Sequence, residues 1–256
     1  MSEVQPGAVL VTGASVRVGR AIAIDFARQG WSVAVHYNAS REAAVEVVDE
    51  ITAAGGTVVA LDADLAKEED MQKLIPRAVE ALGPLTCLVN NAARFEDDTP
   101  ENATRASWDT HMEVNLRAPF VLTQAFIAQR PKEKAGNIIN ILDQRVWNLT
   151  PYFTTYTLSK AGLWTLTQTL ALALAPDIRV NAIGPGPILP SSRQTQEQFE
   201  RQFEALPLKR KIDLDDICAA VRFILAVPTM TGQMIALDSG QHLGWAQPAL
   251  SGAPTE

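Results

Sequence analysis

The 256 residues carry 22 lysines and arginines against 29 aspartates and glutamates, a formal charge of −7, and 47% of them are hydrophobic. That balance excludes disorder as the main state and lacks the basic surface that nucleic-acid binding needs, so no nucleic-acid partner is expected. Two cysteines, Cys87 and Cys218, lie in separate apolar runs and exclude a disulfide framework, no run reaches the ~18 apolar residues of a membrane span, and MSEVQPGAVLV lacks a basic signal-peptide start, so a cytoplasmic protein with no membrane partner is expected.

Residues 8–11 read as a strand, followed by a glycine-containing turn and a helix through 21–28. A second strand at 31–36 ends at the turn-former Asn38, and Ser40 is placed to cap a helix over 41–54 that Gly55–Gly56 stops. Strand 57–62 follows, then a helical pattern over 67–82 in which Pro76 predicts a kink or a split. Next come strand 85–90, helix over 104–130 with a break or bend at Pro119, strand 137–142, a long helix over 152–175 and strand 178–183. Residues 184–210 read as irregular, 214–227 as helix, 234–237 as a last strand and 246–256 as a loose tail. The alternation predicts an α/β fold, a doubly wound parallel sheet with helices on both faces, in one domain over residues 1–245. In such sheets ligands bind beyond the carboxyl ends of the strands, so the chemistry should lie in the loops there.

The first such loop is TGASVRVG, residues 12–19. Gly13 permits the tight turn and Gly19 lets the helix approach the sheet, leaving backbone N–H groups to face a pyrophosphate. Gly13, Arg17, Val18 and Gly19 are therefore candidate cofactor-binding residues, with an ordinary strand–turn–helix corner as the alternative. Arg17 brings a guanidinium beside the expected adenosine phosphate. No acid occurs between Asp25 and Glu42, where an NAD binder places a carboxylate on the ribose. His36, Tyr37, Asn38 and Ser40 stand there instead, polar groups that suit a 2′-phosphate and favour NADP(H).

Tyr156 and Lys160, four apart in the long predicted helix, share one face. A nearby ammonium stabilises a phenolate and makes tyrosine a useful proton donor. Asp143 lies just past the fifth strand, Asn90–Asn91 end the fourth, Asn115 follows in a helix, and Pro185–Gly186 follow the sixth strand. His36, His111 and His242 lack ligand spacing, so no metal is expected, and His111 reads as structural.

Together, TGASVRVG, Asp64–Leu65, NNAA at 90–93, VNLRAPF around Asn115, YTLSK at 156–160 and RVNAIGPGPI at 179–188 resemble the short-chain dehydrogenase/reductase family over nearly the whole chain. The resemblance implies a seven-stranded Rossmann-like sheet, hydride transfer with a nicotinamide cofactor, and a homotetramer or homodimer. It also implies that Asp64 and Leu65 lie near adenine, and that Asn91, Ala92 and Ala93 line the cofactor. Lys160 would hold the nicotinamide ribose, Asn115 would support a water-linked proton relay, and Pro185, Gly186 and Ile188 would approach the carboxamide.

The family usually has serine where this chain has Asp143, and an ionised carboxylate cannot donate to a substrate carbonyl. Arg17, His36–Tyr37, Phe95 after NNAAR, and Asp143 with Tyr156 and Lys160 resemble the pteridine reductases and bacterial dihydromonapterin reductases, as does LDSGQHLGW near the end. In that subgroup the aromatic residue at the Phe95 position stacks a pterin on the nicotinamide; Ala93 departs from a serine some members carry. The expectation is therefore an NADPH-dependent enzyme reducing a dihydropterin to the tetrahydropterin, with Phe95, Asp143 and Tyr156 touching substrate. Trp147, Tyr152 and Phe153 are candidates for the same wall, and residues 189–210 for a cover. A carbonyl reductase for 3-oxoacyl thioesters or small ketones, and a non-catalytic NADP-binding sensor, are the alternatives.

Overall fold

The computed structural model describes residues 5–190 and 195–244. The elements run β1 (Ala8–Val11), α1 (Arg17–Arg28), β2 (Ser32–Tyr37), α2 (Arg41–Ala53), β3 (Val58–Asp62), α3 (Glu68–Leu82), β4 (Leu85–Asn90) and α4 (Arg105–Met112). They continue with α5 (Ala118–Gln129), β5 (Gly136–Ile141), α6 (Thr154–Leu174), β6 (Ile178–Pro185), α7 (Gln196–Glu204), α8 (Leu214–Ala226) and β7 (Met234–Leu237). The seven strands form one sheet in the order β3-β2-β1-β4-β5-β6-β7, and every pairing is parallel. This is the expected single-domain Rossmann-like architecture.

Strand alternation divides the interior into two cores. Val9, Val11, Val33 and Val35 pack with Ile22, Phe26 and Ile224 on the face of α1, α2 and α8. Ala8, Leu10, Ala34 and Leu88 pack with Leu74, Leu122 and Phe126 on the face of α3, α5 and α6. Each such side chain contributes about 1.5–3 kcal/mol by leaving water. The strand order reverses between β1 and β4, so the connections leaving their carboxyl ends turn to opposite faces of the sheet and leave a crevice between them.

Three local expectations are revised. Helix α3 is not split: Pro76 sits within one continuous element, on its exposed side, while Met71, Leu74, Ile75 and Ala78 are buried on the other. The break in 104–130 is a π-helical turn over Glu113–Arg117, after which Pro119 falls within the first two positions of α5. The segment read as irregular contains α7, started by a capping box between Thr195 and Gln198 and braced by an edge-to-face Phe199–Phe203 pair at 4.5 Å. The proposed tail at 246–256 lies outside the described residues, as do residues 191–194 of the proposed cover.

Candidate functional site

The crevice holds two adjoining cavities. The first, about 510 Å³, is floored by the loop after β1. Gly13 adopts φ +62, and a Cβ there would sit 3.0 Å from Ala92 Cα. A Cβ on Gly19 would lie 2.2 Å from the Gly13 carbonyl oxygen, so glycine alone fits this turn. Asn91 clamps the loop, its Nδ2 donating to the Thr12 and Gly13 carbonyls at 2.8 and 3.1 Å. Val16, the N-cap of α1, offers no side-chain bond, which leaves the first helical N–H groups available to an anion. Arg17, Val18, Tyr37, Asn38, Ser40, Asp64, Leu65, Ala92 and Ala93 line the same cavity. No carboxylate stands at the end of β2. These are the features an NADP(H) site requires.

His36 lines this cavity but works from beneath it, because both ring nitrogens are taken by the protein. Nδ1 accepts the Gly13 N–H at 3.0 Å, so Nε2 carries the proton and donates to the Ala63 carbonyl at 3.1 Å. Its imidazole thereby supports the phosphate loop from below. Burial pushes His36 down to about 4, so it stays neutral. Between that value and the ordinary ~6.5 the unfolded chain takes up a proton that the folded chain refuses. Stability present above pH 6.5 should thus be lost as pH falls toward 4, by ~3 kcal/mol. Denaturant melts across that range should show the slope in the wild type and a shallower one in His36→Gln, which keeps a donor and an acceptor without titrating.

Ser40 stands at the N-cap of α2 without a side-chain cap bond, contrary to its expected capping role. Arg17, itself at φ 53, reaches across: its guanidinium donates to the carbonyls of Leu189 and Pro190 at 3.1 and 3.0 Å and lines both cavities.

The second cavity, about 260 Å³, contains the chemistry. Asp143 leaves the end of β5 and caps a short 3-10 turn, Gln144–Val146, with Oδ1 accepting the Arg145 N–H at 2.7 Å. Its other oxygen, Oδ2, accepts the Tyr156 O–H at 3.0 Å. Lys160, one turn along α6, is buried and donates to the Ile141 carbonyl at 2.8 Å. Its Nζ lies 5.9 Å from the Tyr156 ring centroid. Burial pushes Lys160 down to about 8, against the pull of the Asp143 charge. Phe95, Pro185, Gly186 and Ile188 complete the wall.

Phe95 stacks on Phe153 at 4.6 Å and meets the Tyr156 ring edge-on at 4.6 Å. Phe153 thus backs the wall, whereas Trp147 and Tyr152 turn outward, 44% and 38% exposed, and do not line it. Trp147 packs on Trp164 and His242 instead. Asn115 sits in the π-helical turn, fully buried. Its side chain ties the Arg94 backbone, at 2.8 and 2.9 Å, to Ser159 Oγ at 3.0 Å. With every polar atom of that side chain engaged, it clamps the wall.

One residue was not legible as part of the site. Asp98 is buried and caps α6 from outside the helix, accepting the Thr155 N–H at 3.0 Å and the Thr155 hydroxyl at 2.5 Å. Burial works to raise its pKa, but these bonds outweigh it and hold the carboxyl below its ordinary range. His111 bonds Thr155 Oγ1 at 2.6 Å through Nδ1 and accepts the Glu96 N–H at 3.1 Å, the structural role expected of it. Among the described residues no group of three or more His, Cys, Asp or Glu side chains could hold a metal, and no helix is long and apolar enough to cross a membrane.

The short chain dehydrogenase family matches residues 7–201. A crystal structure of FolM alternative dihydrofolate reductase 1 from Brucella suis, in complex with NADP, is 46% identical with TM-score 0.92, covering 96% of this chain and 99% of that one. A short chain dehydrogenase from Burkholderia cenocepacia in complex with NADP is 30% identical with TM-score 0.86, covering 93% and 98%. The 3-oxoacyl-[acyl-carrier-protein] reductase FabG of Staphylococcus epidermidis is 34% identical over 239 residues, 91% of this chain and 98% of that protein.

Proposed function

Because the chain belongs to the short-chain dehydrogenase/reductase family and is an NADP(H)-dependent oxidoreductase, we propose that its substrate is a dihydropterin of the dihydromonapterin or dihydrobiopterin kind, reduced to the tetrahydropterin. The observation that carries this reading is the 3.0 Å bond from Tyr156 to Asp143 at the mouth of the second cavity. A carboxylate accepting that bond favours a proton-bearing phenol, suited to donate to a ring nitrogen. The same carboxylate cannot donate to a ketone oxygen, but it accepts from ring N–H and amino groups.

NADPH, when bound, supplies the hydride, which the reading directs to C6 of the N5=C6 imine. Gly13, Gly19 and the first turn of α1 would hold its pyrophosphate, and Lys160 its nicotinamide ribose. Tyr156 Oη moves a proton toward the pterin nitrogen, and Asp143 orients that phenol and binds ring donors. Lys160, still an ammonium at neutral pH, favours the charge that develops on the phenol oxygen. Phe95 offers an apolar face to a planar ring, and Asn115 fixes the loop that presents it. Resemblance to FolM, named a dihydrofolate reductase, supports the substrate class. Resemblance to FabG favours a second reading, a 3-oxoacyl or small-ketone reductase, against which Asp143 stands.

Steady-state NADPH oxidation decides between them. Turnover of 7,8-dihydromonapterin or 7,8-dihydrobiopterin well above that of an acetoacetyl thioester is expected; the reverse order would reject the pterin reading. The ammonium of Lys160 is present below about 8 and lost above it, so kcat/KM should fall as pH rises through that value. A pH–rate profile flat to pH 9.5 or so would contradict that role for Lys160. A homodimer or homotetramer in the cytoplasm is part of the proposal. Exposed Leu158 and Leu172 on α6, with Phe120 and Ile127 on α5, support contacts between copies.

A further inference from the structure

The wall of the second cavity contains a cation that has no ion-pair partner among the described residues. Arg145 is 7% exposed and lines the cavity. Its Nε and Nη1 are shut off from water and have no hydrogen-bond partner among the described residues. The neighbouring Asp143 makes no ion pair with that guanidinium among the described residues; its Oδ1 accepts the Arg145 backbone N–H and its Oδ2 the Tyr156 O–H. The guanidinium rests instead among aromatic rings, 4.7 Å from the centroid of Phe153, 5.6 Å from Phe95 and 5.9 Å from Tyr156. Such rings hold a cation in place and leave its donors unused.

Two further features share this wall. Gln144 and Gln241 each carry a buried Oε1 without a partner among the described residues, and both line the cavity. The charge of the lining is also lopsided: Arg17, Arg145 and Lys160 face the single carboxylate of Asp143, in a chain whose net charge is −7. Buried donors and acceptors left unpaired are costly, and a ligand that completes them gains what the fold forgoes. The unmet groups are the donors of a planar guanidinium beside amide acceptors. Their complement is a lactam edge, an acceptor oxygen next to N–H donors.

We infer that Arg145 is a specificity-determining residue whose guanidinium receives the oxo oxygen of the substrate's lactam ring, with Gln144 and Gln241 accepting from the adjoining N–H groups. This rests on the dihydropterin reading for the identity of the ring. The choice of ring then depends on a side chain outside the Asp143–Tyr156–Lys160 set. A guanidinium has donors only, so it accepts a 4-oxo ring and opposes a 4-amino ring.

Equilibrium binding to the NADP-loaded protein tests this without requiring turnover. Calorimetric titration with 6-methylpterin and with 2,4-diamino-6-methylpteridine should show the wild type preferring the oxo ring by about tenfold or more. Arg145→Met keeps length and apolar contact but removes the donors. It should weaken the oxo ring by about 30-fold, leave the diamino ring within about threefold, and so erase the preference. Arg145→Lys, which keeps the charge without the planar fork, should retain part of the preference and guards against a Met variant that fails to fold. Equal weakening of both rings, no preference in the wild type, or binding of neither ring would overturn the inference. Unchanged binding with only a displaced pH–rate profile would overturn it too, and would make Arg145 a modulator of Tyr156. Wild-type preference for the oxo ring without NADPH-dependent turnover would support the subsite and reject the proposed reaction.

Discussion

Tyr156→Phe should lower kcat for dihydropterin reduction by about 10³-fold while leaving the Kd for NADPH within about twofold. The substitution removes one oxygen and little else. Tyr156 is nearly buried, and its ring is held by the edge contact to Phe95 at 4.6 Å, which a phenylalanine keeps. The lost atom is the only one of that side chain bonded to Asp143. General acid catalysis by a placed group is worth about 10²–10⁴-fold, and among the described residues no other side chain with a transferable proton near neutral pH stands at that position in the cavity. Lys160 gives one N–H to the Ile141 carbonyl and would give another to the nicotinamide ribose. Stopped-flow single turnovers with the NADPH-loaded variant would check this. A loss below about tenfold would remove Tyr156 from the chemistry.

Asp143→Ser should reverse the substrate preference, cutting kcat/KM for dihydropterin by about 100-fold and raising ketone reduction above the wild-type level. Serine is an equally good cap for the short turn that begins at Gln144, so the fold should tolerate the change. What it loses is the second acceptor, the oxygen now bonded to Tyr156. The phenol is then freed to point at a substrate oxygen, and the serine hydroxyl can donate to the same atom. The lining also becomes more cationic, with Arg17, Arg145 and Lys160 unopposed. Paired kinetics on 7,8-dihydrobiopterin and an acetoacetyl thioester would check the reversal. A variant that loses both activities together would show that Asp143 acts through structure alone.

The sheet was readable from the chain because its strands are apolar almost without interruption and are punctuated by glycine and asparagine. The Tyr156–Lys160 pair was readable because helical periodicity alone brings the two side chains to one face, and Asp143 because a strand end delivers it to the same crevice. What escaped depends on contacts far apart in the chain. Asp98 reaches Thr155 across 57 residues, and nothing local marks it as a helix cap. His36 reads as one polar residue in a turn until the fold places Gly13 and Ala63 against its two nitrogens. The π-helical turn at Asn115 has no signature of its own, and α7 was hidden by a composition that resembles a loop until Thr195 and Gln198 close their reciprocal bonds. Arg145 carries no local signal at all, because its place over Phe95 and Phe153 requires three separate segments to converge.

The external cap on α6 has a mechanical consequence. Phe153, just ahead of that helix, is in a left-handed conformation and offers no capping side chain, so the helix start is anchored by Asp98 and, through Thr155, by His111. The stretch that carries Phe95 and the helix that carries the proton donor are thereby riveted into a single rigid plate. A ring sliding beneath Phe95 cannot push it aside without dragging Tyr156 along. Fit at the aromatic face and alignment of the acid are consequently adjusted by one displacement, and a bulky side group on the ligand is felt first as a misaimed proton.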